Sequence, residues 1–146
     1  MLIIQPSGGL CNRIRVINSA YRLSLKRQEK LLIFWNCNHE LNCPFHFLFQ
    51  PVSEFKITNI HSVADPRKLF YQKTARNYLT NDDILKNRLP DGKLSPSFVE
   101  SLKGNTYIFT WESFYPSQDY HLFLPVAPLK ARIDQMIGTF GSSCIG

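Results

Sequence analysis

The chain has 146 residues, the size of one domain, and its 44% hydrophobic and 19% charged residues exclude a disordered protein. The longest apolar run, Leu31 to Trp35, is far shorter than the roughly 20 residues that cross a bilayer. The formal net charge of +6 favours an anionic partner, which these totals leave open between a nucleotide, a phosphorylated sugar and nucleic acid.

The opening segment predicts a βαβ unit. Met1 to Gln5 is a short apolar run that ends in turn residues, which is typical of a buried strand, and it lacks the features of a signal peptide, so we expect a cytoplasmic protein. Helical spacing then predicts a helix from about Leu10 to Gln28, and the run from Lys30 to Trp35 predicts a second, parallel strand. The expected apolar stripe of this helix is Leu10, Ile14, Ile17, Tyr21 and Leu25, with Arg13, Arg15, Arg22, Lys26 and Arg27 mostly on its other faces.

The remaining elements are predicted one by one. They are a helical turn over 44–49, a strand over 55–60, a helix over 96–103 that Gly104 ends, a strand over 107–111, and a final helix carrying Leu129, Ile133, Met136 and Ile137 on one face. Residues 68–87 fit no clear type, and residues 142–146 resemble the start of another buried strand. The whole chain, 1–146, is therefore predicted to be one α/β, Rossmann-like three-layer domain with a mainly parallel sheet.

The loop between the first strand and the first helix is the strongest candidate site. Gly8 and Gly9 permit close backbone approach, Asn12 offers an amide, and Arg13 offers a forked cation at the positive end of a helix dipole, which suits phosphate. The loop does not match G-x-G-x-x-G and has no Walker lysine, so nicotinamide and ATP are not expected. The alternative is a tight turn whose glycines serve packing alone.

Three stretches carry a resemblance to a known family. They are Gly8 to Arg15 with Ser19-Ala20-Tyr21, Leu32 to Trp35, and Leu41 to Phe45 with Leu48-Phe49, and the closing residues Ile133 to Gly146 add to it. The chain resembles the N-terminal half of bacterial fucosyltransferase-like glycosyltransferases, which are related to the α-1,6-fucosyltransferases. The resemblance implies the acceptor-side half of a GT-B enzyme that transfers a sugar, expected to be fucose, from a GDP-sugar to a glycan acceptor with inversion and without a metal.

The resemblance also implies roles for residues of the glycine loop and names parts of the family's enzymes that the sequence does not contain. Asn12 and Arg13 match residues of the family's glycine loop, which faces the donor phosphates, so the resemblance implies that they contact donor phosphate or acceptor hydroxyls. Cations near the phosphates would stabilise the charge of the departing GDP. The family's His-x-Arg-Arg-x-Asp motif and its donor-binding half would follow Gly146, so we expect the chain alone to be inactive. An exposed half-cleft would favour a homo-oligomer. The alternative is a non-catalytic binding or assembly module that kept this fold.

Other groups of residues suggest sites but also have simpler explanations. Glu112 follows a predicted strand and is a possible cleft base, with Asp82 and Asp83 as further carboxylates, although a solvated or capping role is more common. Cys37, His39, Cys43 and His46 are close in sequence but lack the usual zinc spacing, so no metal is expected, and the four cysteines, which include Cys11 and Cys144, are expected to be reduced. The aromatic residues Trp35, Trp111, Phe114 and Tyr115 are stacking candidates or core, and the basic helix face is expected to be solvated, with no nucleic-acid partner.

Overall fold

The computed structural model describes residues 1–115 and 120–140, without the side chains of residues 137–140. In this part of the chain, five strands form one parallel sheet in the order β3-β2-β1-β5-β4, and the predicted α/β class is confirmed. The strands are β1 Leu2–Pro6, β2 Leu31–Asn36, β3 Lys56–Ile60, β4 Asn77–Leu79 and β5 Thr106–Thr110. The helices are α1 Leu10–Arg27, α2 Phe45–Leu48, α3 Pro66–Thr74, α4 Asn81–Asn87, α5 Pro96–Ser101 and α6 Ala127–Phe140, with a 3₁₀ turn at Tyr120–Leu122.

The order of the strands places a switch point at the centre of the sheet. The chain first runs outward from β1 to β2 and β3, then crosses to β4 and returns to β5, which lies on the other side of β1. The carboxyl ends of β1 and β5 pair at Pro6 and Thr110, and the Ser7 amide continues the ladder by donating to the Thr110 carbonyl at 3.0 Å. Ligands of open parallel sheets bind beyond such strand ends.

The two faces of the sheet are covered unequally. The α1 face holds the larger core, in which Leu2, Ile4, Ile33 and Trp35 pack with residues of α1 and of the later segments. The other face holds a smaller cluster of buried residues, which are Ile3, Leu32, Phe34, Ile60 and Tyr107. Tyr71 of α3 packs against this cluster. No helix in the described ranges is long and apolar enough to cross a membrane.

Four of the five residues of the predicted apolar stripe of α1 face the core: Ile17 is fully buried, and Leu10, Ile14 and Tyr21 are partly buried against it. The residues of α1 that are fully buried include Val16, Ile17, Ala20 and Leu23, whereas Leu25 is 51% exposed. The buried face is wider than predicted and also contains Arg13, which the sequence placed on a polar face and which is 0% exposed here. A long side chain whose guanidinium finds several acceptors inside the protein can occupy a core position.

Other helices and strands differ from the prediction in smaller ways. Helix α5 ends at Ser101, so Gly104 does not terminate it; Gly104 instead takes a φ of +79° in the turn that enters β5. The unassigned stretch contains the end of α3, then β4 and α4. The final helix is present, but Ile133 and Met136 on its predicted apolar face are 41% and 53% exposed. The strand predicted over 142–146 lies outside the described residues.

Candidate functional site

The loop Ser7-Gly8-Gly9 joins β1 to α1 at the switch point of the sheet. Gly9 is the N-cap of α1, and no side chain caps this helix end, whose first turn contains no acidic residue. A Cβ added at Gly9 would meet nothing within 4 Å, so the loop is open to solvent here. The first backbone N–H groups of a helix have no partner within the helix, and at this helix end Gly9 and Cys11 are exposed while Leu10 and Asn12 are partly exposed.

Gly8 explains why the loop needs a glycine. Its φ is +80°, a left-handed conformation that residues with a side chain rarely adopt, and a Cβ there would lie 2.8 Å from the Asn12 amide nitrogen. The Asn12 side chain therefore lies against Gly8, and its Oδ1 accepts a hydrogen bond from Arg15. This contact fixes the start of α1 beneath the loop and leaves Asn12 half-exposed.

Arg13 holds two loops together from inside the protein. Its Nε donates to the Gly8 carbonyl at 2.7 Å, and its terminal nitrogens donate to the Asn36 carbonyl and, at 2.7 Å, to Asn38 Oδ1. The guanidinium also lies 5.2 Å from the ring centroid of Trp35, which is a cation–π contact. Burial lowers the pKa of Arg13 from its usual value. In this conformation its guanidinium is fully buried, so it positions the loop and does not reach the accessible surface.

Glu40, in the turn after β2, is a charged residue beside the glycine loop that the sequence reasoning missed. Its Oε2 accepts hydrogen bonds from the Gly8 amide at 2.9 Å and from Asn38 Nδ2 at 3.2 Å, and it lies 3.8 Å from Arg13. These contacts, with that from Gly8 foremost, lower the pKa of Glu40. The available signal was topological: β2 neighbours β1, so the turn after β2 meets the loop after β1 at one edge of the sheet.

Glu112 lies just beyond the carboxyl end of β5 but is paired. Its Oε2 accepts from Arg88 at 2.9 Å, and Arg88 also donates to the Ser113 carbonyl at 3.0 Å. Both side chains are 29% exposed. Glu112 therefore serves as one half of an ion pair that fastens the segment after β5, and it would need to leave Arg88 to act as a base.

The other candidate carboxylates and aromatic side chains divide between structural and accessible positions. Asp83 accepts hydrogen bonds from the amide and hydroxyl of Thr80 and so caps α4, which lowers the pKa of Asp83. Trp35 and Phe114 are fully buried in the core. Tyr115 is partly buried against the core, whereas Trp111, directly after β5, is 47% exposed beside the switch point.

The cysteine and histidine cluster does not assemble in the described residues, where no group of three or more His, Cys, Asp or Glu side chains is placed to hold a metal ion. Cys37 is buried, which raises the pKa of its thiol. The Nδ1 atom of His46 instead accepts a hydrogen bond from the Asn59 amide nitrogen at 3.3 Å. Cys11, Cys37 and Cys43 are free thiols.

Comparison of this chain with models of protein families, with curated proteins and with solved structures finds no match.

Proposed function

We propose that the chain is the N-terminal, acceptor-side domain of a glycosyltransferase that resembles the fucosyltransferases. In this proposal the full enzyme transfers a sugar, expected to be fucose, from a GDP-sugar to a glycan acceptor. The glycine loop would face the diphosphate of the donor, and the chain alone would turn over little or no donor. The fold class and the position of the loop at the switch point are compatible with this role.

The observation that carries the proposal is the uncapped start of α1. The N–H groups of Leu10, Cys11 and Asn12 have no partner within the helix, no side chain caps them, and the space around Gly9 is open. An anion placed there gains hydrogen bonds and a favourable interaction with the helix dipole. The net charge of +6 assists the approach of an anion.

The residues of the loop take separate roles in this proposal. Gly8 and Gly9 shape the backbone, and Asn12 presents its amide at the rim. Arg13 is a positioning residue, because it holds the Gly8 carbonyl and Asn38 from within the core. Trp111 offers an exposed aromatic face on which a sugar ring can stack. Stabilisation of the leaving diphosphate by backbone N–H groups would then lower the barrier to transfer.

A substitution at Gly9 tests this site without disturbing the fold. Gly9→Asp supplies a favoured N-cap side chain, so it leaves stability equal or slightly higher, while its carboxylate occupies the anion position. We expect GDP and GDP-fucose to perturb the amide signals of residues 8–12 in the wild type and in the control Gly9→Ala, but not in Gly9→Asp. Absence of any perturbation at millimolar ligand in the wild type would overturn the proposal.

Glu40 provides a second arm of this experiment. Its carboxylate already accepts the hydrogen bond of the Gly8 amide, so an incoming anion competes with it and is repelled by it. Glu40→Gln removes the charge and keeps the shape, and we expect it to bind GDP several-fold more tightly. An unchanged or weaker affinity would place the anion away from Gly8.

A non-catalytic binding or assembly module is the second candidate. The observation that favours it is that Arg13 and Glu112, two charged side chains of the expected site, are both engaged in internal contacts. A GDP-sugar is not required by such a module. Binding of GDP-fucose that GDP displaces from residues 8–12 supports the transferase domain, whereas absence of nucleotide binding supports the module.

A further inference from the structure

We propose that a groove on the second face of the sheet binds a small amphipathic anion, with an apolar body and a single carboxylate or phosphate head. The basic groove, as we call it, is lined by Lys30, Leu32, Phe34, Lys56, Thr58 and Tyr71. It encloses about 270 Å³, close to the smallest cavities that hold organic ligands.

Strand register and helix packing build the groove. In the parallel pair of β2 and β3, Leu32 is the partner of Lys56 and Phe34 is the partner of Thr58, so these four side chains share one face. Tyr71 of α3 forms the opposite wall, with its ring centroid 5.8 Å from that of Phe34. Leu32 and Phe34 are 7% and 1% exposed and form an apolar floor.

The charges around the groove are unbalanced. Arg67, at its rim, is paired with Asp65 at 2.6 Å, and Glu29 is paired with Arg27 at 2.8 Å and with the terminal amine of Met1 at 3.4 Å. Lys30 and Lys56 form no ion pair within the described ranges 1–115 and 120–140. The local carboxylates are therefore engaged, and two ammonium groups remain to attract an anion.

The combination selects the class of ligand. An apolar body gains free energy by covering Leu32, Phe34 and the Tyr71 ring, while an anionic head reaches the flexible ends of Lys30 and Lys56. A neutral hydrophobic molecule would leave the two ammonium groups unused, and a small inorganic anion would leave the apolar floor uncovered. A medium-chain alkyl carboxylate or alkyl phosphate satisfies both parts.

This groove is separate from the glycine loop. Lys30 directly precedes β2 and Lys56 is the first residue of β3, so the charged end of the groove lies at the amino ends of the strands. The glycine loop lies beyond the carboxyl end of β1. Failure of the proposed transferase role would therefore leave this inference intact.

The experiment titrates the intact chain with octanoate, octyl phosphate and octan-1-ol while backbone amide signals are followed by NMR. We expect saturable binding of both anions that perturbs the signals of residues 30–34, 56–58 and 71. The double variant Lys30→Glu/Lys56→Glu should bind them about tenfold or more weakly, because two charge-assisted contacts are lost and replaced by repulsion. Tighter binding of either anion identifies the preferred head group.

Two controls make the test decisive. Lys103→Glu changes one exposed lysine elsewhere on the chain and should bind octanoate like the wild type. Thr58→Trp fills the groove from the edge strand without changing charge, and it should abolish binding of both anions. Octanol that binds as tightly as octanoate, a double variant with unchanged affinity, or perturbations confined to other residues would each overturn the inference.

Discussion

Two adjacent glycines at the start of α1 differ in what a side chain would meet. A Cβ at Gly8 would require a left-handed conformation with φ of +80° and would lie 2.8 Å from the Asn12 amide, whereas a Cβ at Gly9 meets open space. We therefore expect Gly8→Ala to lower the free energy of unfolding by about 1–2 kcal/mol and Gly9→Ala to change it by much less. Chemical denaturation of both variants measures the difference, and equal effects would contradict the described loop.

Glu40 makes the same loop sensitive to pH. Its carboxyl has a pKa below the usual 4.5, chiefly because the Gly8 amide donates to the charged form. The contribution of this contact to stability is therefore complete above the unfolded pKa and is lost as the pH falls through the lower, folded pKa. We expect the Gly8 amide signal to shift in that acidic range. In Glu40→Gln the shift should be absent; if it persists there, another group titrates.

Arg13 shows where residue-scale prediction from the sequence stops. The motif drew attention to Arg13 beside the two glycines, but it did not predict the direction of this side chain, because helical spacing alone classes an arginine as solvent-facing. Its burial depends on acceptors that come from the glycine loop, from Asn36 at the end of β2 and from Asn38 in the turn that follows. Glu40 was not predicted as a site residue for the same reason, because its partner, the Gly8 amide, is 32 positions away in the sequence.

At the scale of elements, the C-terminus of α1 offers a stabilising change. Gln28 follows the helix with φ of +52° and ψ of +43°, and the Glu29 amide donates to the Ser24 carbonyl at 2.9 Å, the bonding pattern in which glycine is favoured. We expect Gln28→Gly to raise the free energy of unfolding by up to about 1 kcal/mol. Lys26→Gly, within the last turn, should lower it by about 1 kcal/mol. Thermal unfolding of the two variants measures the difference, and a lower melting temperature for both would contradict the expectation for Gln28→Gly.

The elements that the sequence predicted carry clear local signals in their own residues. Strands β1, β2 and β5 are apolar runs bounded by turn residues, and helix α5 has both Ser95 as N-cap, accepting from Phe98, and Pro96 at its first position. The element types between residues 68 and 87 could not be predicted because the helices there are short and mostly exposed, and β4 has only three residues. Such elements are defined by the neighbours they pack against and by caps such as Asp65 and Asp83, more than by a periodic pattern.

At the scale of the whole molecule, α6 leaves apolar surface uncovered within the described residues. Leu129 is half-buried, and Ile133 and Met136, which follow at helical spacing, are 41% and 53% exposed. The helix is joined to the rest of the fold near its start, where the Val126 amide donates to the Leu48 carbonyl at 3.0 Å. Contiguous exposed apolar positions favour association, so we expect the average mass to rise with protein concentration.

A pair of double variants tests whether α6 drives this association. Ile133→Lys/Met136→Lys places two charges on the apolar face and should keep the chain monomeric, since burying two unpaired ammonium groups in an interface is costly. Ala127→Lys/Ala131→Lys adds the same charge at other exposed positions of α6 and should associate almost as the wild type does. Light scattering over a concentration series separates the outcomes. A wild type that stays monomeric throughout would contradict the expected homo-oligomer. Only the first pair of substitutions alters the apolar face, so an equal loss of association in both double variants would be an effect of the added positive charge and not of that face.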